Sequence, residues 1–301
     1  MMSVRKDQSL RGVLLVNEPM ARHTTWRVGG PAERYYQPAD IADLAVFLAQ
    51  LPANEPLFWV GLGSNLLVRD GGIRGTVIAT SGLLNEIASV DELTVRVEAG
   101  VSCAKVARVC ARLGLTGAEF LAGIPGTMGG ALAMNAGAFG GETWLLVQQV
   151  ETLDRHGELR IRTPADYRIA YREVQGPAGE WFVAALLRLQ HGDTEAAGAR
   201  IRELLDKRSA SQPTQQPNAG SVFRNPDGDY AARLIESCGL KGTSIGGACV
   251  SEKHANFIVN DGTASAADIE ALIEKVAATV EQKCDVRLQR EVHIVGEKSS
   301  G

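Results

Sequence analysis

The chain has 301 residues, 45% hydrophobic and 22% charged, with a formal net charge of −4. That length implies two or three domains, and the acidic balance without a basic stripe argues against nucleic acid as a partner. No apolar run could span a bilayer and the polar start Met1–Gln8 lacks a signal-peptide core, so a cytoplasmic protein with no membrane partner is expected.

Residues 1–18 read as an N-terminal arm, and ordered structure is expected from Thr24–Ala32, where Gly29-Gly30-Pro31 forces a turn. Asp40 caps a helix carrying Ile41, Leu44, Phe47, Leu48 and Leu51. Short strands are expected at Leu57–Val60 and Val77–Thr80. Thr94–Ala99 alternates, with Val95 and Val97 on one face. Ser102 opens a helix that stops at Gly114. Val147–Arg162 reads as a hairpin turning at Asp154–Gly157, followed by a strand at Trp181–Leu189.

Composition shifts after His191. A polar helix is expected at Thr194–Lys207, then a Ser-, Gln- and Pro-rich linker or ordered loop at Ser209–Asn218. The last hundred residues predict helices at Tyr230–Cys238 and Ala267–Lys283, the second with a capping box from Ser265 to Asp268. Strands are expected at Ala255–Val259 and Val286–Val295. Strands outnumber helices in the first two thirds without strict alternation, which favours α+β over a doubly wound sheet. The boundary falls near residue 192, dividing 19–192 from 193–301.

Two glycine-rich loops stand out. Gly61-Leu62-Gly63-Ser64-Asn65-Leu66 lacks the third glycine of the dinucleotide fingerprint, and no Gly-Lys pair of a P-loop occurs. The second runs Gly123-Ile124-Pro125-Gly126-Thr127-Met128-Gly129-Gly130, then through Asn135-Ala136-Gly137 to Gly141. Glycines let backbone amides approach a ligand closely, and two such loops could wrap a pyrophosphate. Tight turns in a small-residue core remain the bland alternative. The five cysteines include no CxxC pair, so neither a disulfide framework nor a metal site is expected.

The order Trp26-Arg27-Val28-Gly29-Gly30, Gly61–Leu66, Glu98-Ala99-Gly100 and Gly123–Gly137 resembles the UDP-N-acetylenolpyruvoylglucosamine reductases, from about Thr24 to Gly296. The resemblance implies a vanillyl-alcohol-oxidase-like (PCMH-type) FAD-binding domain plus a smaller C-terminal α+β substrate domain. It also implies NADPH-dependent reduction of UDP-N-acetylglucosamine enolpyruvate to UDP-N-acetylmuramate through FAD, in peptidoglycan precursor synthesis. No histidine lies in either glycine loop, so non-covalent FAD is expected. Flavin contacts are implied for Gly61 to Leu66, Gly100, Gly123 to Thr127, Gly129, Gly130 and Asn135 to Gly137. A monomer acting on the UDP-sugar and NADPH is expected.

Hydride addition to an enolpyruvyl ether pushes charge onto its carboxylate, which calls for a cation and donors, and a proton must reach the neighbouring carbon. By resemblance these are Arg172 in Ala170-Tyr171-Arg172, Ser221 in Asn218-Ala219-Gly220-Ser221 as proton donor, and Glu291 in Leu288–Gly296. Arg168 in Asp166-Tyr167-Arg168 is a rival of lower weight. A guanidinium can grip a carboxylate through two parallel bonds. On an alternating strand, Glu291 would point opposite to Val286, Leu288, Val292 and Ile294. Without the resemblance, Arg172 reads as a surface arginine, Ser221 as a turn serine and Glu291 as solvated. Tyr171, Asn225, Lys241 and His254 are further substrate-binding candidates, with a packed or solvated histidine equally open for His254. No tyrosine lies between Arg172 and Ser221, so the chain resembles the subgroup without the inserted tyrosine loop. Two other readings remain: another FAD-dependent oxidase or dehydrogenase with the same domain, and a non-catalytic nucleotide-binding protein.

Overall fold

The computed structural model describes residues 10–299. The first sheet has four strands in the order Val13–Pro19, Pro31–Gln37, Ile73–Ala79, Leu57–Val60. The first pair is antiparallel and the others are parallel. Helix α1 (Ile41–Gln50) provides the crossover, and the Asp40 carboxylate caps it by accepting from the Asp43 amide at 2.8 Å. Leu44, Phe47 and Leu48 of α1 are buried at one face of the sheet.

Val13–Pro19 corrects the expectation of an arm through residue 18. It pairs along its length with Pro31–Gln37. Val13, Leu14 and Val16 are exposed, so the strand gives little core signal in sequence. Residues 1–9 of the expected arm lie outside the described residues.

The second sheet is antiparallel, in the order Leu159–Arg162, Val147–Asp154, Glu180–Arg188, Thr94–Glu98, Ile87–Ser89. Val95 and Val97 are fully buried on its inner face. Helix α2 (Cys103–Arg112) and the short α3 (Met128–Met134) share their core with it. Helix α4 runs Thr194–Ser211, four residues past the expected end, and buries Ala197 and Ile201 in that same core. The packing thus changes over after α4, whereas the composition shifts before it. Only one stripe of α4 is apolar, so its composition differs from that of the core it packs on.

The C-terminal body holds α5 (Ala231–Ser237), α6 (Ala266–Cys284) and a three-stranded sheet from Ser244 to Asn260. The Ser265–Asp268 capping box opens α6 as expected. Ile269, Leu272, Ile273, Val276 and Val280 bury one face of α6, each such side chain contributing about 1.5–3 kcal/mol. The expected strand Val286–Val295 shrinks to His293–Val295, which pairs in parallel with Leu66–Val68 of the first body. Residues before it are held by single contacts, such as the Phe223–Arg290 bridge.

Two further ties bind the bodies. Trp26 is fully buried, donates its indole N–H to the Ile258 carbonyl at 2.8 Å, and its own carbonyl accepts from Asn260 at 2.8 Å. Arg69 forks onto both oxygens of Glu270 at 2.8 Å, while the neighbouring Asp70 carboxylate accepts from the Ala266 and Ala267 amides at the start of α6. No helix among the described residues is long and apolar enough to cross a membrane.

Candidate active site

A cleft of about 620 Å³ opens between the bodies, within the usual range for small-molecule sites. One wall is backbone. Gly61 to Leu66 and Gly123 to Thr127 line it together with Gly130, Ala136 and Gly137. The loops touch: a Cβ on Gly61 would fall on the Thr127 hydroxyl, and one on Gly126 would lie 3.5 Å from Ser64 Oγ. Among the described residues, the amides of Leu62, Gly63, Ser64, Asn65 and Thr127 donate to no acceptor in the chain. Thr127 is 2% exposed, and its buried hydroxyl is also unpartnered. Orphaned donors in a cleft fit an anionic ligand that accepts from them, and the donor set suits the FAD pyrophosphate.

Gly100, Gly129 and Asn135 stand behind this wall rather than on it. A Cβ on Gly100 would collide with the Thr80 carbonyl, and one on Gly129 would press on Ala99 at 2.9 Å. Asn135 ends α3 in the left-handed region (φ 44°). Its amide donates to Glu142 at 2.9 Å and to the Ala170 carbonyl at 3.2 Å, and its oxygen accepts from the Trp144 amide. It anchors the hairpin that delivers Arg172.

The other wall is side chains. Arg172, Ser221 and Glu291 all line the cleft, although they come from three distant segments. Arg172 sits at φ 56°, a conformation that costs energy for a side-chain-bearing residue. It donates to the Gly137 carbonyl at 3.1 Å, and its own carbonyl accepts from Arg224 at 3.2 Å. Its Nε lies 3.1 Å from Glu291 Oε1, too bent for a hydrogen bond, so the contact is an ion pair. Arg168 is exposed and does not line the cleft.

Ser221 follows Gly220, whose φ of 74° makes the turn. Asn256 holds the loop by accepting from the Phe223 amide and donating to its carbonyl, while its own carbonyl accepts from Val222. Glu291 is fixed through its backbone: its amide donates to Val222 at 2.8 Å and its carbonyl accepts from Asn65 at 3.1 Å. Asn65 thus ties the flavin-side loop to the segment carrying Glu291. Burial pushes the Glu291 carboxyl above its ordinary pKa, and the Arg172 and Arg224 charges pull the other way. Burial likewise depresses His293, with Arg224 adding to it. In α2, burial raises the Cys103 and Cys110 thiols to about 12, which makes them packing groups rather than nucleophiles.

The four further substrate-binding candidates are not brought to the cleft lining. Tyr171 is 54% exposed, with the Arg172 guanidinium 5.5 Å from its ring centroid. The Asn225 side chain accepts from Ala231 at the start of α5, and Lys241 pairs with Glu236 at 2.8 Å. His254 packs edge-on against Phe257, which does line the cleft, and burial lowers its pKa. Sequence reasoning missed Trp59, Phe139, Arg208, Gln212 and His293, all on the lining. Arg208 and Gln212 were hidden because the expected end of α4, at Lys207, falls four residues short of Ser211. His293 lay inside the quoted Leu288–Gly296 motif.

A family model for the UDP-N-acetylenolpyruvoylglucosamine reductase C-terminal domain matches residues 212–295, and an FAD binding domain model matches residues 32–162. A UDP-N-acetylenolpyruvoylglucosamine reductase of Alkalilimnicola ehrlichii is 63% identical over 94% of this chain and 95% of its own length. One of Legionella pneumophila is 60% identical over 95% and 94%. The crystal structure of the Thermus caldophilus reductase superposes with a TM-score of 0.81 at 32% identity, over 95% of this chain and 99% of that one.

Proposed function

The chain belongs to the UDP-N-acetylenolpyruvoylglucosamine reductase family, and from that premise we propose how its own residues divide the work. The protein is an FAD-dependent oxidoreductase of peptidoglycan precursor synthesis that reduces the enolpyruvyl ether of its UDP-sugar with NADPH as co-substrate. The observation that carries the residue assignments is the convergence of Arg172, Ser221 and Glu291 opposite the glycine loops. FAD held at the glycine loops would supply the hydride chemistry that links NADPH to the vinyl carbon.

Arg172 receives the substrate carboxylate and meets the charge that hydride addition places on it. In the ligand-free cleft that guanidinium faces Glu291. A second carboxylate arriving there disfavours ionised Glu291 further, because like charges sharing a site raise a carboxyl pKa. Glu291 then holds a proton and can donate a hydrogen bond, with no proton transfer, to the enolate oxygen, leaving Arg172 to the substrate. Ser221 supplies the proton to the neighbouring carbon. A weak acid suffices there because the acceptor is a strongly basic carbon, and the Asn256 clamp fixes its position. The unpaired amides of Leu62, Gly63, Ser64, Asn65 and Thr127 hold the flavin, and the rest of the two glycine loops shapes the wall around it. As part of the same reading, the enzyme works in the cytoplasm as a monomer, on small molecules alone.

The purified protein should be yellow and should oxidise NADPH rapidly only when UDP-N-acetylglucosamine enolpyruvate is added. A colourless protein that takes up no FAD would sink the reading. A yellow one indifferent to that substrate would point to another oxidase or dehydrogenase on the same FAD domain.

A further inference from the structure

The last turn of α4 delivers Arg208 to the lining of the cleft that Gln212, Gly220 and Ser221 also line. Arg208 is half-buried, and the one described partner of its guanidinium is the Gln212 side-chain oxygen, which accepts from Nε at 3.2 Å. No carboxylate faces it among the described residues, whereas Arg69, Arg96, Arg162 and Arg172 each meet one. Burial depresses its pKa with nothing opposing. A basic residue in the last turn of a helix is favoured by the open carbonyls there. That accounts for a cation at this end of α4, but not for turning it into a ligand cleft without a counter-charge, since buried charges are ordinarily paired.

We propose that Arg208, steadied by Gln212, is the cationic anchor for a diphosphate ester bound in the cleft. The inference rests on the functional reading above, in which FAD, NADPH and the UDP-sugar each carry a diphosphate. Arg172 is already committed to the enolpyruvyl carboxylate, which leaves the diphosphates as the anionic groups without a charged partner. The glycine loops offer neutral amides, which direct phosphate oxygens but carry no full charge. A guanidinium supplies that charge and can bond two oxygens at once. Its place is suitable too, because α4 packs against the turn Glu119–Gly123 that leads into the second glycine loop. Of these three carriers, the flavin and the UDP-sugar are the candidates, the pair that must lie in the cleft together when hydride reaches the vinyl carbon.

Arg208→Met and Arg208→Lys separate them. Flavin is stripped from each protein, and the melting temperature without ligand and the FAD dissociation constant are measured. The flavin-loaded proteins then give the KM for UDP-N-acetylglucosamine enolpyruvate and the flavin midpoint potential. The expected result is that ligand-free Arg208→Met melts no lower than wild type, while one of the two binding constants rises by about tenfold or more. Arg208→Lys should recover part of that loss, because it restores charge without the fork. A weaker FAD constant with an unchanged KM assigns the flavin diphosphate, and the reverse assigns the UDP-sugar. The proposal is overturned if both constants stay within about twofold of wild type. It is overturned equally if only the midpoint potential moves, which would place Arg208 on the flavin ring, or if ligand-free Arg208→Met melts lower and binding is unchanged. A wild-type protein that takes up no FAD breaks the functional reading instead, a result distinct from a variant binding flavin as well as a flavin-binding wild type.

Discussion

The two walls of the cleft are built on opposite principles. The flavin-side wall works by omission: at Gly61 a side chain would strike Thr127, and at Gly126 the space is left open toward Ser64. Its recognition groups are amides, whose positions are set by local turns. The opposite wall works by addition, with a guanidinium, a hydroxyl and a carboxyl brought from residues 172, 221 and 291. Each of those is held by backbone contacts rather than by its neighbours in sequence, through Asn135, Asn256 and Asn65. A wall of omissions is written locally in the chain, whereas a wall of additions depends on the long-range fold.

The contrast can be broken in graded ways. The largest effect should come from behind the first wall. Gly100→Ala places a methyl group against the Thr80 carbonyl, a backbone collision worth about 4 kcal/mol or more, so little folded protein should be recovered and its melting temperature should collapse. Next is the chemical wall. Glu291→Gln should slow turnover by about a hundredfold and leave FAD affinity unchanged. Because burial raises the Glu291 pKa, its protonated form persists above the ordinary carboxyl range and is lost as pH rises through the raised value. The wild-type pH–rate profile should fall on that limb, and the Gln profile should lack it.

A smaller effect concerns the join between the bodies. Arg69→Met removes the fork onto Glu270 and should cost about 1.5–3 kcal/mol in denaturant unfolding near pH 7. The Arg69 hydrogen bonds hold the Glu270 carboxyl below its ordinary pKa. That contribution is therefore present above the unfolded pKa and lost as pH falls through the folded one, so the two proteins should converge in acid. Smallest is Gly126→Ala, whose added methyl meets nothing closer than Ser64 Oγ at 3.5 Å. The ligand-free melting point should hold while FAD binding weakens several-fold, by less than about 1.4 kcal/mol. An unchanged FAD affinity would remove Gly126 from the flavin wall.

The same division explains what could be read from the chain. The glycine loops, the α1 cap at Asp40, the hairpin at Asp154–Gly157 and the α6 capping box are local signals, and the structure carries them. Val13–Pro19 was illegible because an edge strand with exposed Val13, Leu14 and Val16 has no inward stripe. The expected strand through Glu291 was an overreading: its alternation is real, but only His293–Val295 finds a partner, in Leu66–Val68. Arg172, Ser221 and Glu291 were visible only through resemblance, since nothing in their spacing joins them. Arg208 was lost because the polar end of α4 reads like the start of a linker. Asn225 and Lys241, singled out by motif, are engaged here in capping α5 and in pairing with Glu236.

The central claim is that one wall holds the flavin and the other performs the reduction. Ser221→Ala tests it most directly when the two half-reactions are timed separately under anaerobic conditions. Flavin reduction by NADPH should match wild type, and reoxidation by UDP-N-acetylglucosamine enolpyruvate should slow by about a hundredfold or more. Equal slowing of both half-reactions, or undiminished reoxidation, would contradict the assignment of the proton to Ser221 and with it the division of labour between the walls.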